Sequence, residues 1–213
     1  GYDGVINCWS AQDGKQVRSL RGHAVPVFSL AASSQQALFV SSGNDWDKKQ
    51  SEVRIWRVDE VDAASTMDFM PATGPIRFLD YGKTIASGTR GGFVVLWDLS
   101  TGEPITSFPT ASGVVTNFAF FEDSEILVVE TTVGFEQYFK TGKVHHELWR
   151  WEIYGSSPPE RILKSVNNGL PGLAVAFSPN GNLVAWLDPG RDPETAKVVL
   201  WEPQTQQQIG EFA

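Results

Sequence analysis

The sequence predicts an all-β fold built from repeated antiparallel sheets, and two observations carry that prediction. The first is that the 213 residues contain many short runs of β-branched and aromatic residues, such as 93–97 and 114–121, separated by Gly, Pro, Asn, Asp and Ser. No long window shows the three-to-four spacing of an amphipathic helix. Such a pattern is typical of a sandwich, a barrel or a propeller. The second observation is an internal repeat, which decides between these three architectures.

The repeat is anchored on tryptophan. After Trp9, Trp97 and Trp201, an aliphatic residue follows eight positions later and Leu or Phe follows eleven positions later. Trp56 and Trp151 anchor two weaker members of the same series. The five anchors are separated by 47, 41, 54 and 50 residues. A unit of four short strands needs about 40–45 residues, so the repeat predicts one sheet per tryptophan, with insertions in the longer units.

These motifs resemble those of the tryptophan-aspartate (WD) repeat β-propeller family, and the resemblance covers essentially the whole chain. The hallmark Trp-Asp dipeptide is present at Trp97-Asp98, and Trp-Glu replaces it at 151–152 and 201–202. The Gly-His pair of the family stands once, as Gly22-His23, and residues 175–185 carry its strand-and-turn signature. The resemblance implies an all-β propeller whose radial sheets, or blades, each have four strands, a to d, from the innermost to the outermost.

The resemblance also implies a hydrogen-bonded chain of His, Asp, Ser or Thr, and Trp within a blade. Here that chain can be assembled only from His23, Asp45, Trp56 and either Ser41 or Ser42. His23 is therefore interpreted as a buried strut rather than a catalyst. The residues assigned structural roles are Trp9, Trp56, Trp97, Trp151, Trp201, His23, Asp45 and Asp98.

The repeat boundaries indicate an incomplete ring. Residues 1–22 are expected to supply only strands c and d of a first blade. Full blades are expected at 24–70, 74–108, 113–164 and 172–212, with strand a and the a–b turn shortened at 74–83. Propellers have 4–8 blades, and the resemblance implies about seven. We therefore expect a partial propeller of four full blades and a half blade, completed by further sequence or by another chain.

The longer repeats carry their insertions between strands b and c, at 46–51, 132–144 and 189–196, whereas the turn at 89–92 is minimal. In the family topology these turns emerge on one face, and loops on a rigid scaffold commonly carry recognition. Aromatic and Arg side chains dominate interface energetics. The candidate partner-binding residues are Trp46, Phe135, Tyr138, Phe139 and Arg191. The alternative is that these aromatic rings fold back to cover the bases of their own loops.

Composition restricts the class of partner. The chain has 17 Lys and Arg against 25 Asp and Glu, a net charge of −8, which disfavours nucleic acid as a ligand. No apolar run approaches the roughly 20 residues that span a bilayer, so we expect no membrane association. The one cysteine, Cys8, cannot form an internal disulfide. We expect a soluble, cytoplasmic protein with protein partners.

No catalytic, metal-binding or cofactor-binding motif is recognisable. His145 and His146 are adjacent, and neighbouring residues on a strand point to opposite faces, so they cannot chelate one metal. We expect them on a surface strand. With three histidines in the chain, a hidden Ser-His-Asp triad is improbable. The sequence therefore predicts a protein that is not an enzyme and carries no cofactor or metal.

Three functions compete. The first is a non-catalytic protein–protein interaction scaffold that presents a loop-rich propeller face, which the family resemblance implies. The second is a sensor or regulatory propeller domain of a larger signalling protein. The third is a propeller enzyme or ligand-binding protein with a site in the central channel. The third needs converging acidic or His residues on several a strands, and the readable a strands are almost wholly apolar.

Overall fold

The computed structural model describes most of the chain. The described residues are 1–33, 36–45, 47–48, 50–57, 64–67, 72–79, 82–89, 91–110, 113–121, 125–133, 144–167, 175–178, 183–188, 197–205 and 207–212. Within these ranges the chain forms eighteen strands and no α-helix. In this described part, no helix has the length and apolar character needed to cross a membrane.

The strands form one two-stranded sheet and four four-stranded sheets, named A to E in chain order. Sheet A consists of β1 (Ile6–Trp9) and β2 (Gln16–Leu20), and sheet B consists of β3 (Val27–Ala32), β4 (Leu38–Asp45), β5 (Gln50–Arg57) and β6 (Ala64–Met67). Sheet C consists of β7 (Ala72–Leu79), β8 (Thr84–Thr89), β9 (Phe93–Asp98) and β10 (Pro104–Pro109), and sheet D consists of β11 (Val114–Phe121), β12 (Ile126–Val133), β13 (Val144–Glu152) and β14 (Glu160–Asn167). Sheet E consists of β15 (Val175–Phe177), β16 (Val184–Asp188), β17 (Lys197–Glu202) and β18 (Gln207–Phe212).

Each sheet is a meander, in which every strand pairs with its neighbours in sequence. The pairing is antiparallel, as in the eight matched pairs from Leu38↔Arg57 to Asp45↔Gln50. The predicted all-β repeat fold is thereby confirmed. Each four-stranded sheet contains one of the tryptophan anchors on its third strand, at position 56, 97, 151 or 201, and Trp9 ends β1.

The prediction of a shortened first strand in sheet C was wrong. Strand β7 has eight residues, as many as β11 in sheet D. Gly74 and Pro75 indicate a turn in the sequence, but the structure accommodates them in a register shift between Ala72 and Ile76. A bulge leaves residues outside the ladder of hydrogen bonds, so it tolerates a proline that has no N–H to donate.

The chain divides into two compact units. Unit 1 is Gly1–Arg90 with Val95–Ser107, and unit 2 is Gly91–Val94 with Phe108–Ala213. In unit 1, Trp56 is buried with Ile6 and Leu20 of sheet A. Trp97 packs in a second cluster with Val40 and Val53 of sheet B. Each tryptophan thus lies against aliphatic residues of the preceding sheet.

Unit 2 is packed in the same manner. Trp201 of sheet E is buried with Leu148 of sheet D. The Trp151 ring lies 3.8 Å, between centroids, from the ring of Phe108 on β10. Phe121 and Phe177 form an edge-on aromatic pair between sheets D and E, with ring centroids 6.5 Å apart. A single sheet has no interior of its own, so these contacts supply the core.

Candidate functional site

A polar network crosses sheet B and ends on Trp56. The indole Nε1 of Trp56 donates to Ser41 Oγ at 2.8 Å, and Ser41 Oγ lies 2.6 Å from His23 Nε2. The other ring nitrogen, His23 Nδ1, lies 3.1 Å from a carboxylate oxygen of Glu52. Glu52 also accepts hydrogen bonds from the backbone N–H of Ala24 at 3.1 and 3.3 Å. The network ties the segment before β3 to the middle of the sheet.

The partners determine the protonation of His23. A carboxylate only accepts hydrogen bonds, so Nδ1 carries a proton towards Glu52. Ser41 accepts from the indole and donates its own hydroxyl hydrogen to Nε2. Every group is then satisfied with a neutral imidazole. Burial lowers the pKa of His23 below 6.5, and the neighbouring Arg54 charge acts in the same direction, although the Glu52 carboxylate opposes both.

The carboxylate in this network differs from the one expected. The sequence analysis assigned the position to Asp45, whereas the structure places Glu52 against His23. Asp45 Oδ1 instead accepts hydrogen bonds from the backbone N–H groups of Asp47 and Lys48, both at 3.1 Å. A short Asp side chain readily bonds the backbone two residues on. The side-chain hydrogen bond from Lys48 is the main cause that lowers the Asp45 pKa.

Trp97 and Asp98, at the end of β9, take part in two separate sets of hydrogen bonds. Trp97 Nε1 donates to Ser87 Oγ at 2.9 Å, which repeats the bond between Trp56 and Ser41. Asp98 lies in the turn after β9, where its Oδ1 accepts from the backbone N–H groups of Ser100 and Thr101 at 2.7 and 3.1 Å. Hydrogen bonding, chiefly from the Ser100 side chain, lowers the Asp98 pKa.

Burial separates the five anchor tryptophans into two groups. Four of them, at positions 56, 97, 151 and 201, are 3–7% exposed. Trp9 is 60% exposed. The sequence treated all five as equivalent, because it shows the repeat but not which sheet has a neighbour on that face.

All five candidate partner-binding residues, Trp46, Phe135, Tyr138, Phe139 and Arg191, lie outside the described residues. The structure does describe the strands that carry them. Residues 134–143 connect β12 to β13, and residues 189–196 connect β16 to β17. These two b–c connections, of ten and eight residues, are the longest turns within any of the five sheets.

The b–c connection of sheet B is different from the expected insertion at 46–51. Gln50 and Ser51 belong to β5 and pair with Asp45 and Asn44, so only residues 46–49 connect the strands. Ser51 Oγ also donates to the Asn44 side chain at 3.1 Å. Strands β4 and β5 therefore form a longer hairpin than the sequence predicted. Gln50 and Ser51 lengthen the hairpin because each pairs with a residue of β4.

The stem of the sheet D hairpin contains buried polar side chains. His146 is fully buried, and its Nδ1 lies 3.0 Å from Glu130 Oε1, with Thr132 Oγ1 at 3.4 Å. The expectation of a surface strand for the two histidines was wrong: His145 is half-buried and His146 is enclosed. Sequence analysis missed Glu130 because it stands alone in an apolar strand.

Metal-binding side chains do not cluster in the described part of the chain. No group of three or more His, Cys, Asp or Glu side chains there is placed to hold a metal ion. A cavity of about 330 Å³ lies beside β1 and β3, and its lining includes Asp3, Asn7, Phe28 and Leu30. Its lining combines apolar side chains with one carboxyl and one amide.

Four-stranded antiparallel meanders, each with a third-strand tryptophan, are the sheets from which β-propellers are built. A family model described as "WD domain, G-beta repeat" matches residues 14–57, which contain the whole His23–Ser41–Trp56 network. This segment of the chain is therefore similar to a WD repeat, and the tryptophan seams of the other sheets repeat its packing.

Several curated proteins are similar to the chain. Protein transport protein SEC31 of Coccidioides immitis is 21% identical over 221 residues, covering 99% of this chain and 16% of that protein. Periodic tryptophan protein 2 homolog of Schizosaccharomyces pombe is 30% identical over 46% of this chain and 11% of its own length. An F-box/WD-40 repeat-containing protein of Arabidopsis thaliana is 31% identical over 52% of this chain and 21% of its own length. The chain thus spans a minor part of each.

Replacing Ser41 by Ala should destabilise the protein more than replacing Ser87 by Ala. Ser41 serves two buried partners, Trp56 and His23, whereas Ser87 serves Trp97. Each buried polar group left without its hydrogen bond costs about 1–3 kcal/mol. We expect losses of about 2–6 kcal/mol for Ser41→Ala, with two partners, and about 1–3 kcal/mol for Ser87→Ala, with one. Urea unfolding of the two variants measures them, and equal losses would contradict the two-partner role of Ser41.

Stability should fall on acidification through the titration of His23. Its folded-state pKa is below the value of 6.5 expected when unfolded, so below about pH 6.5 the unfolded chain binds the proton first. The His23 contribution is present above this pH and is lost as the pH falls towards the folded-state pKa. The His23→Gln variant should have a lower Tm at neutral pH and a flatter Tm profile between about pH 8 and 5. Parallel profiles for the two proteins would contradict the assignment.

Proposed function

We propose that the chain is a non-catalytic protein–protein interaction scaffold that presents the b–c turns of its sheets to a protein partner. The observation that carries the proposal is the contrast between the hairpin stems and their connections. In sheet D, β12 and β13 pair in register from Ile126↔Glu152 to Val133↔His145, and β12 is buried from Ile126 to Thr132. The longest connection within a sheet joins exactly these two strands.

A rigid stem lowers the cost of recognition. Association costs conformational entropy for every side chain and loop that must be ordered, so a surface carried on paired, buried strands loses less on binding. The ten residues of the sheet D connection include Phe135, Tyr138 and Phe139, and the sheet E connection includes Arg191. These residue types supply most interface hot spots. We propose them, with Trp46, as the contact residues.

The relatives support a scaffold more than an enzyme. They are a protein transport protein, a periodic tryptophan protein and an F-box protein, which differ from one another. What this chain shares with them is sequence similarity over 46–99% of its length. A fold that serves differing proteins is best explained by a platform whose specificity lies in its loops.

A second candidate is a sensor or regulatory domain within a larger protein. The observation in its favour is that the aligned segment makes up only 11–21% of the three relatives described above. Both candidates use the b–c surface, and they differ in whether a bound partner changes the activity of a linked domain. We place the protein in the cytoplasm, in keeping with its single cysteine and net charge of −8.

The contact surface is tested with the double variant Trp46→Ala/Tyr138→Ala. Both residues belong to b–c connections, so their loss should remove partner binding and leave the Tm nearly unchanged. Truncating one hot-spot residue costs about 2 kcal/mol, or roughly thirtyfold in affinity. Quantitative affinity capture with mass spectrometry, followed by calorimetric titration of the recovered partner, provides the measurement.

The matched control for this experiment is Tyr154→Ala. Tyr154 is an aromatic residue, 55% exposed, in the turn between β13 and β14 at the opposite end of the strands. It should bind the partner as the unmodified protein does. Equal binding by the double variant and the unmodified protein would refute the proposed surface. A large drop in the Tm of the double variant would show that the aromatic rings belong to the core instead.

A further inference from the structure

The sequence contains two Ser-Pro dipeptides, Ser157-Pro158 and Ser178-Pro179, which the proposed function does not use. Serine followed by proline is the local sequence that proline-directed protein kinases phosphorylate. Proline has no backbone N–H, so a kinase pocket that offers this N–H no acceptor admits proline and penalises other residues. The dipeptide alone does not distinguish the two serines, so any difference between them comes from their surroundings in the fold.

Ser157 lies in the c–d turn of sheet D, residues 153–159, which connects β13 to β14. This turn has seven residues, whereas the c–d connections of the other four sheets have four to six. Five consecutive residues of the turn, 154–158, are exposed to solvent. Enzymes that act on a polypeptide hold several residues around the target, and exposed loop tips with small and polar residues are their preferred sites.

The conformation of the turn is restricted on both sides of Ser157. At its base, the Ile153 side chain is buried, and the Ile153 N–H donates to Glu125 O at 3.1 Å. After the serine, the ring of Pro158 restricts Ser157 itself, because a residue before proline is confined to the extended region. The acceptor hydroxyl is therefore carried on an extended, exposed segment with a fixed base, which is the form that a kinase cleft accommodates.

Ser178 is held within the next sheet. It directly follows β15 and is half-buried. Its Oγ accepts a hydrogen bond from the Leu183 N–H at 2.9 Å, and its own N–H donates to Leu183 O at 3.0 Å. A kinase can hold this serine only after both bonds open, so the folded state protects it.

A phosphate on Ser157 would add its charge outside the buried part of sheet D. A phosphoserine carries about −1.5 to −2 charges at neutral pH. Glu152, at the start of the turn, is already bonded to Arg150, whose Nη2 donates to Glu152 Oε1 at 2.7 Å. Repulsion from other exposed carboxylates is weakened by water and salt. The modification should therefore change the surface of the turn and leave the fold intact.

We propose that Ser157 is an acceptor for a proline-directed protein kinase and that Ser178 is not an acceptor in the folded chain. Ser157 Oγ attacks the γ-phosphorus of ATP, and the bond from that phosphorus to the β,γ-bridging oxygen breaks as the new O–P bond forms. ADP leaves with the electron pair, and the hydroxyl proton passes to an Asp carboxylate of the kinase. The phosphoserine lies at the opposite end of β13 from the b–c connection, so it marks a surface separate from the proposed contact residues.

The test incubates the folded chain with a purified proline-directed kinase and ATP, and tandem mass spectrometry locates the phosphate. Phosphate should appear on Ser157, and at least about tenfold more slowly on Ser178, whose two hydrogen bonds must open first. Ser157→Ala should remove the main site. The matched control, Ser178→Ala, should be phosphorylated as fast as the original sequence. Pro158→Ala should slow the reaction at Ser157 at least about tenfold, because alanine brings an N–H that finds no acceptor in the kinase pocket.

A synthetic peptide of residues 171–185 separates the effect of the fold from that of the local sequence. Ser178 in this peptide should be phosphorylated at least about tenfold faster than in the folded chain, because no folded structure has to open. Three results would each overturn the proposal: no phosphate on Ser157 of the folded chain, equal rates at the two serines, or an unchanged rate in the Pro158→Ala variant. Slow reaction of the peptide would show that the fold does not account for the protection of Ser178.

Discussion

The packing of a tryptophan ring on an aliphatic residue of the preceding sheet is the contact on which the rest of this structure depends. A four-stranded meander is one layer thick, so its apolar side chains cannot be buried within the sheet itself. Trp56 on Ile6 and Trp97 on Val53 bury those side chains between sheets instead. The repeat of about fifty residues follows from this constraint. Each further sheet needs a tryptophan that packs on the preceding sheet and an aliphatic residue on which the tryptophan of the next sheet packs.

Polar groups in the sheets are placed around these seams rather than at a reactive centre. In sheets B and C a serine, Ser41 or Ser87, accepts the indole N–H. In sheet D the corresponding register position is Val129, and the neighbouring Glu130, on the opposite face of the strand, bonds His146. The polar network has therefore moved to the other face of that sheet. The described sheets use their buried histidines to join strands, which agrees with a structural rather than a catalytic use.

The strands and the connections of these sheets are under different constraints. The strands must satisfy the seam contacts, which restricts their residues. The b–c connections range from three residues in sheet C to ten in sheet D, and nothing in the seams restricts their length or chemistry. In sheet C, Gly92 allows the shortest connection because its φ of 75° lies in the left-handed region. The b–c connections can therefore differ in length and chemistry without altering the core.

The all-β class, the tryptophan repeat and the long b–c connections of sheets D and E could be predicted from the sequence, because they follow from side-chain periodicity and spacing along the chain. The errors of the sequence analysis concerned neighbours in space. Asp45 and Glu52 are both acidic residues near the same turn, and only the cross-strand register shows that Glu52 reaches His23. His146 was expected at the surface because strand alternation does not reveal whether both faces of a sheet are covered. The exposure of Trp9 is likewise a tertiary property, since five equivalent positions in the repeat differ only in whether another sheet lies against them.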